Sequence, residues 1–203
     1  MSSEQNSRGR EAPIQTVFLD RDGVINRKRP EGEYVTSWEE FAILPGVPEA
    51  IKRMNEAGLR VIVVSNQRCI ALGLCTRRDV ESIHRRLVAL LAAEGSRIDR
   101  FYICEHDAGV CDCRKPDIGL FRQATADFPS IQAESSVMIG DSISDVEFGH
   151  RAGMRTVFIE GDPQTRKEGA GRGRTLADAA CGSLSEAVDI VLCGVKKKDR
   201  TNS

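Results

Sequence analysis

Five short apolar runs, each separated from the next by a helical pattern, constrain this chain more than any other feature. They are Thr16-Val17-Phe18-Leu19, Val61-Ile62-Val63-Val64, Phe101-Tyr102-Ile103, Val137-Met138-Ile139 and Thr156-Val157-Phe158-Ile159. Runs without polar alternation belong to strands buried on both faces. Strands joined through helices need crossover connections, so the sheet is parallel and carries helices on both sides. The expected helices run from Val47 to Ala57, ahead of Gly58, and from Thr76 to Glu94, ahead of Gly95. The second has Thr76 as N-cap with Asp79 three residues on, and Val80, Ile83, Leu87, Leu90 and Leu91 along one face. Further helices are expected over Asp117 to Asp127 and Ser144 to Ala152, with a last one from Ser183 to Leu192 running into a terminal strand. The fold class is α/β, a three-layer Rossmann-like parallel sheet.

Size and charge narrow what such a sheet can serve. With 203 residues the chain suits a single domain, and 40% hydrophobic with 29% charged residues excludes both wholesale disorder and a membrane protein. Lys and Arg total 29 against 30 Asp and Glu, so no global field attracts nucleic acid, and any anion must be met by a local cluster. The expected domain covers 14–193, between a polar arm at 1–13 and a polar tail at 194–203 whose Lys196-Lys197-Lys198 run is solubilising. Gly161 to Arg174, rich in Gly, Arg and Lys, is expected to be an exposed loop. The start, Met1 to Arg10, lacks the apolar stretch of a signal peptide, and the chain has seven cysteines. A reducing, cytoplasmic setting follows, in which clustered cysteines bind metal more often than they form disulfides.

Folds of this class place their chemistry at the carboxyl ends of the strands. Asp20-Arg21-Asp22-Gly23 follows the first run, Ser65-Asn66-Gln67 the second, Cys104 the third and Gly140-Asp141 the fourth. Asp20 and Asp22 repel each other unless a cation or shared proton joins them. Mg²⁺ meets that need and also binds phosphate, leaving one carboxylate to attack phosphorus and the other to protonate the leaving oxygen. Taken alone, the pair fits an Asp-Gly turn equally well. The other strand ends add a hydroxyl and amide donors at Ser65 and Asn66, a point charge at Lys115 and a further metal ligand at Asp141.

With these residues in order, the chain resembles the haloacid dehalogenase superfamily of phosphotransferases, whose four motifs match Asp20-Arg21-Asp22-Gly23, Ser65, Lys115 and Gly140-Asp141-Ser142-Ile143-Ser144-Asp145. The resemblance implies that Asp20 is the nucleophile and Asp22 the general acid that later activates water. Mg²⁺ would be held by the Asp20 carboxylate, the Asp22 carbonyl and Asp141. Ser65 and Lys115 would hold the phosphoryl group, and Asp145 would orient its neighbours. Asn66, Gln67, Arg68 and Arg114 join Lys115 as candidate substrate contacts.

Cys104-x-His106 and Cys111-x-Cys113 bring three thiols and an imidazole into one loop, the composition of a closed structural Zn²⁺ site, although the spacings are tighter than in ordinary fingers. The loop ends at Arg114-Lys115-Pro116, so the ion would stiffen the segment that presents both cations. Together with the first two motifs, this loop is similar to that of the D-glycero-D-manno-heptose 1,7-bisphosphate 7-phosphatases and the related histidinol-phosphate phosphatases. That resemblance implies a minimal cap of loops, an open cleft for a small phosphorylated sugar, and recognition of the substrate's distal end by Arg114.

The chain departs from the family pattern at Arg68-Cys69-Ile70-Ala71-Leu72-Gly73, where Leu72 replaces an expected arginine and Arg68 is new, and at Ser142, where a basic residue is common. Arg68 either restores the missing charge or is a surface residue. Lys28, Arg29 and Tyr34, in a lengthened loop, are expected to touch substrate. Cys69, Cys75, Cys181 and Cys193 are read as bystanders, and His84 as lying among arginines on a polar helix face. The implied activity is Mg²⁺-dependent removal of the 7-phosphate by a monomer, through an aspartyl phosphate. Histidinol-phosphate hydrolysis is the nearest alternative. A catalytically silent, zinc-stabilised binding protein is the alternative from another class.

Overall fold

A computed structural model describes residues 12–165 and 169–198. The expected arm falls outside these residues over 1–11, and the end of the expected tail does so over 199–203. The elements are β1 (Thr16–Leu19), α1 (Val47–Glu56), β2 (Arg60–Asn66), α2 (Arg68–Ala71), α3 (Arg77–Ala93), β3 (Arg100–Cys104), α4 (Gly119–Asp127), β4 (Ser136–Gly140), α5 (Ile143–Ala152), β5 (Arg155–Ile159), α6 (Ala170–Leu176), β6 (Ala179–Cys181) and α7 (Leu184–Cys193). All strands are parallel, in the order β3-β2-β1-β4-β5-β6.

Alternate strand residues feed opposite helical layers. Val17, Leu19, Val61, Val63, Val137 and Ile139 pack with α1, α3 and α7, whereas Phe18, Ile62, Val64 and Met138 pack with α4 and α5. Burial on both faces contributes roughly 1.5–3 kcal/mol for each large apolar side chain, which is why these runs show no polar alternation. The order reverses between β1 and β4: the chain leaves β1 for the α1 layer and β4 for the α5 layer. Diverging connections open a crevice above the carboxyl ends of these two strands.

Two expectations at the carboxyl-terminal end are corrected. The Gly-rich segment is not all loop, since α6 forms within it. Gly173 fits there because a Cβ would stand 2.8 Å from the Phe158 ring, so packing on β5 outweighs poor helix propensity. The sixth strand precedes the last helix instead of following it. Ala179–Cys181 is short and alanine-rich, so propensity does not mark it as a strand. The chain after α7 is docked as far as the described residues extend: Val195 is buried in the core, and Lys197 Nζ donates to the Gly153 carbonyl at 2.7 Å.

His84 also differs from expectation. It is buried and stacks on Phe101 at 4.3 Å, because α3 turns this position toward β3 despite the neighbouring arginines. No helix among the described residues is long and apolar enough to cross a membrane.

Candidate active site

Asp20 and Asp141 emerge side by side because Leu19 pairs with Ile139 in the β1/β4 ladder, and the Asp20 amide continues it with a 2.9 Å bond to the Ile139 carbonyl. Two glycines let the carboxylates close in. A Cβ on Gly23, whose φ is 98°, would stand 2.2 Å from Asp141 Oδ2, and one on Gly140 would stand 2.2 Å from Asp145 Cβ. Ligand oxygens of Asp20, Asp141 and Asp145 consequently lie within 4.8 Å of one another. Unit charges about 4 Å apart at an effective dielectric of about 20 repel by roughly 4 kcal/mol, so the cluster needs cations.

Lys115 supplies one. Its buried Nζ reaches Asp20 Oδ1 at 2.9 Å, Asp145 Oδ1 at 2.7 Å and the Val64 carbonyl at 2.7 Å. Burial alone would disfavour the ammonium, but Asp145 and Asp20 overcome it and hold Lys115 charged above its ordinary range. Asp145 is fixed in turn by the Ser142 hydroxyl at 2.6 Å and amide at 3.0 Å. Burial raises the Asp20 carboxyl above its usual pKa, with Lys115 opposing and Asp145 and Asp22 assisting. Burial likewise pushes Asp141 up to about 7; its partner Lys28 opposes this, while Asp20 and Asp145 add to it. Asp141 Oδ1 is buried and, among the described residues, accepts no hydrogen bond. An acceptor left dry costs roughly 1–3 kcal/mol, so a cation beside Asp20 and Asp141 fits this donor set.

Asp22 is held differently. Arg21 Nε and Nη2 grip both of its oxygens at 3.1 and 3.0 Å, and Asn26 Nδ2 and Gln67 Nε2 add bonds of 2.9 and 3.1 Å. Burial raises the Asp22 pKa, but the Arg21 charge and these bonds together lower it below the usual range. Arg21 is itself buried, with its guanidinium 5.7 Å from the centre of the Phe41 ring. Sequence reasoning gave Arg21 no role, since nothing local tells a buried arginine from a surface one.

Cys104, at the end of β3, meets His106, Cys111 and Cys113 in a compact cluster. The spacings are 3.5 Å for Cys104 to Cys111, 3.3 Å for Cys113 to Cys111, 3.3 Å for Cys113 to His106 and 3.8 Å for Cys104 to His106. A tetrahedron with bonds of about 2.3 Å has edges near ~3.7 Å, so the four ligand atoms fit one zinc ion. Arg114 and Lys115, directly after this loop, line a cavity of about 340 Å³ whose lining also includes Asp20, Asp22, Ser65 and Arg68.

The HAD-hydrolase-like family model matches residues 112–187. Over 135 residues the chain is 42% identical to the D-glycero-alpha-D-manno-heptose-1,7-bisphosphate 7-phosphatase of Mycobacterium tuberculosis, a match covering 66% of this chain and 70% of that one. The chain belongs to the heptose-1,7-bisphosphate 7-phosphatase family. Another member, from Chlorobaculum tepidum, is 39% identical over 158 residues, with 71% and 78% of the two chains covered. The crystal structure of the family's B. bronchiseptica D,D-heptose 1,7-bisphosphate phosphatase, complexed with magnesium and phosphate, superposes with a TM-score of 0.78. Its identity is 25%, covering 89% of this chain and 99% of that one.

Within this phosphatase framework, the residues expected at substrate, Asn66, Gln67, Arg68, Arg114 and Lys115, line the cavity and also make contacts within the protein. Asn66 also clamps Lys115: its Nδ2 donates to the Lys115 carbonyl and its Oδ1 accepts from the Lys115 amide, both at 3.0 Å. Gln67 spends its amide nitrogen on Asp22 and on Ser65 Oγ, the latter at 2.7 Å. Gln67 is buried and its amide must be satisfied, which these protein groups do. Arg68 reaches the cavity and is paired with Asp107 of the Cys/His loop. Arg114 lines the cavity and makes one long bond, 3.5 Å, to the His106 carbonyl. Leu72 is 43% exposed, and Ser142 serves as the cap of α5. Arg29 and Tyr34 line the cavity, as does Lys28.

Proposed function

We propose that this chain is a Mg²⁺-dependent phosphatase that removes the 7-phosphate of D-glycero-D-manno-heptose 1,7-bisphosphate. The observation that carries the reading is the juxtaposition of Asp20, Lys115 and Asp141 at the β1/β4 crevice, in a chain whose relatives bear that activity in their names. Asp20, Asp141 and the Asp22 carbonyl would hold Mg²⁺, which when bound neutralises the carboxylates and the phosphoryl oxygens.

Lys115 holds the Asp20 carboxylate toward the entering phosphorus and supplies positive charge to the equatorial oxygens, with the Ser65 hydroxyl beside it. Asp20 attacks phosphorus, the ester bond to the sugar breaks, and the leaving alkoxide takes a proton from Asp22. Asp22 then takes a proton from water as that water attacks the aspartyl phosphate, releasing inorganic phosphate and restoring Asp20. Arg21 favours the ionised form of Asp22, and the substrate's negative charge would raise the Asp22 pKa toward the protonated form that donates.

Cys104, His106, Cys111 and Cys113 would hold a structural Zn²⁺ that fixes Arg114 over the cavity, where its fork suits a distal phosphate. We read the enzyme as a monomer, and as cytoplasmic because this site needs reduced thiols. The histidinol-phosphate alternative requires a cavity tolerant of an ammonium group, against which Arg114 counts. Phosphate release from both anomers of the heptose bisphosphate and from histidinol phosphate, with and without Mg²⁺, tests the reading. Preference for histidinol phosphate by more than about tenfold, ~1.4 kcal/mol in transition-state binding, overturns the substrate while leaving the chemistry.

A further inference from the structure

We propose that Lys28 is a displaceable counter-charge: its ammonium holds Asp141 in the metal-free enzyme, competes with Mg²⁺ for it, and moves into the substrate cavity when the metal binds. This rests on the reading of Asp20 and Asp141 as the Mg²⁺ locus. Lys28 Nζ donates to Asp141 Oδ2, and the two side chains are 9% and 8% exposed. The other acids of the cluster have their own cations, since Asp20 and Asp145 share Lys115 and Asp22 is gripped by Arg21. Asp141 pairs with Lys28, and its second oxygen has no described hydrogen bond.

A dication on Asp141 would stand within a few ångströms of the ammonium, with twice the repulsion of a unit pair; Lys115 beside Asp20 is held against such repulsion by Asp145, whereas Lys28 pairs with no second carboxylate among the described residues. The backbone before Lys28 is anchored, and the side chain after it is paired. The Arg27 amide donates to the Ala42 carbonyl at 2.7 Å, and Arg29 Nη2 donates to Glu40 at 3.0 Å. The four-carbon stem between these anchors is therefore the part free to move. Lys28 lines the cavity of about 340 Å³ that contains Asp20 and Lys115, and also a neighbouring cavity of about 320 Å³ behind Asp141. Released from Asp141, the ammonium stays at the wall of the cavity in which the substrate's phosphate must sit.

Calorimetric titration of Mg²⁺ into wild type, Lys28→Met, Lys28→Arg and Asp141→Asn tests this, in alkaline buffer to limit proton competition at Asp141. Lys28→Met should bind Mg²⁺ about tenfold more tightly than wild type, ~1.4 kcal/mol, with Lys28→Arg close to wild type. At saturating Mg²⁺ its KM for the bisphosphate should rise. Equal Mg²⁺ affinity in wild type and Lys28→Met overturns the proposal. Absence of Mg²⁺ binding by wild type, or undiminished binding by Asp141→Asn, overturns the metal reading and this one with it. The wild-type protein gives a second measurement if the variant does not fold. Acetylation of Lys28 by acetic anhydride, read by peptide mass, should speed up severalfold on addition of Mg²⁺, and an unchanged rate overturns the proposal.

Discussion

Arg68, which lines the cavity, pairs with Asp107, Nε to Oδ1 at 2.6 Å and Nη2 to Oδ2 at 3.3 Å, tying the start of α2 to the Cys/His loop. The bonds from Arg68 hold the Asp107 carboxyl below its usual range, and the nearby Arg114 charge acts in the same direction. A carboxylate between two guanidiniums stands where an anionic substrate group would otherwise be attracted. Asp107→Asn keeps the shape and removes the charge. The KM for the bisphosphate should fall about threefold, with that for the heptose 7-monophosphate unchanged. A parallel change for both substrates would mean that Asp107 acts only on the loop.

Lys115 and Asp20 should separate stability from chemistry. Removing the ammonium in Lys115→Met leaves Asp20 and Asp145 buried together without their shared cation, a loss of roughly 3–5 kcal/mol. Asp20→Asn leaves Lys115 its bond to Asp145 and should cost less than half as much. Both should lower turnover by at least about a thousandfold. Urea denaturation with steady-state kinetics on the two variants distinguishes the effects.

Loss of zinc should damage catalysis through geometry. Cys113 lies two residues before Lys115, and the Lys115 backbone is clamped by Asn66, so loosening the loop shifts the ammonium relative to Asp20. Cys113→Ser, with zinc content measured, should lower kcat by roughly tenfold and leave Mg²⁺ affinity within about threefold. Undiminished turnover in a zinc-free preparation contradicts this.

His84 should give the fold an acid-sensitive component. Burial, reinforced by the Arg21 charge and only weakly opposed by Asp22, lowers its pKa from 6.5 to about 3. Above about pH 6.5 the imidazole is neutral folded or unfolded. Below that the unfolded chain takes up a proton that the native state refuses, so stability drops by ~1.4 kcal/mol per pH unit until the folded pKa is passed. Between about pH 6.5 and 5, ahead of most carboxylates, wild type should lose stability faster than His84→Phe, and equal slopes contradict the assignment.

The carboxylates of this site were legible because position exposed them. Asp20 and Asp141 each follow a strand, and the strand pattern is strong in one dimension. The Cys104, His106, Cys111 and Cys113 cluster was legible because its four residues span ten positions. Asn66 and Gln67 line the cavity, as their place at the end of β2 suggests, but their bonds to Lys115 and Asp22 were not readable, because those partners lie 49 and 45 residues away in sequence. Lys28 and Asp141 are 113 residues apart, beyond any local pattern. His84 was misplaced because its sequence neighbours are arginines while its spatial neighbour is Phe101, and β6 and α6 form through packing against β5 that composition does not advertise.

The closeness of the acids is set by what is missing at Gly23 and Gly140. An alanine methyl at either position would need the space now filled by Asp141 Oδ2 or Asp145 Cβ, and prising those groups apart by one carbon's width would widen the site for any ion. These two positions carry no reactive atom, yet a saturation library should find them as intolerant as the aspartates, and a chemist ranking residues by functional group would overlook both.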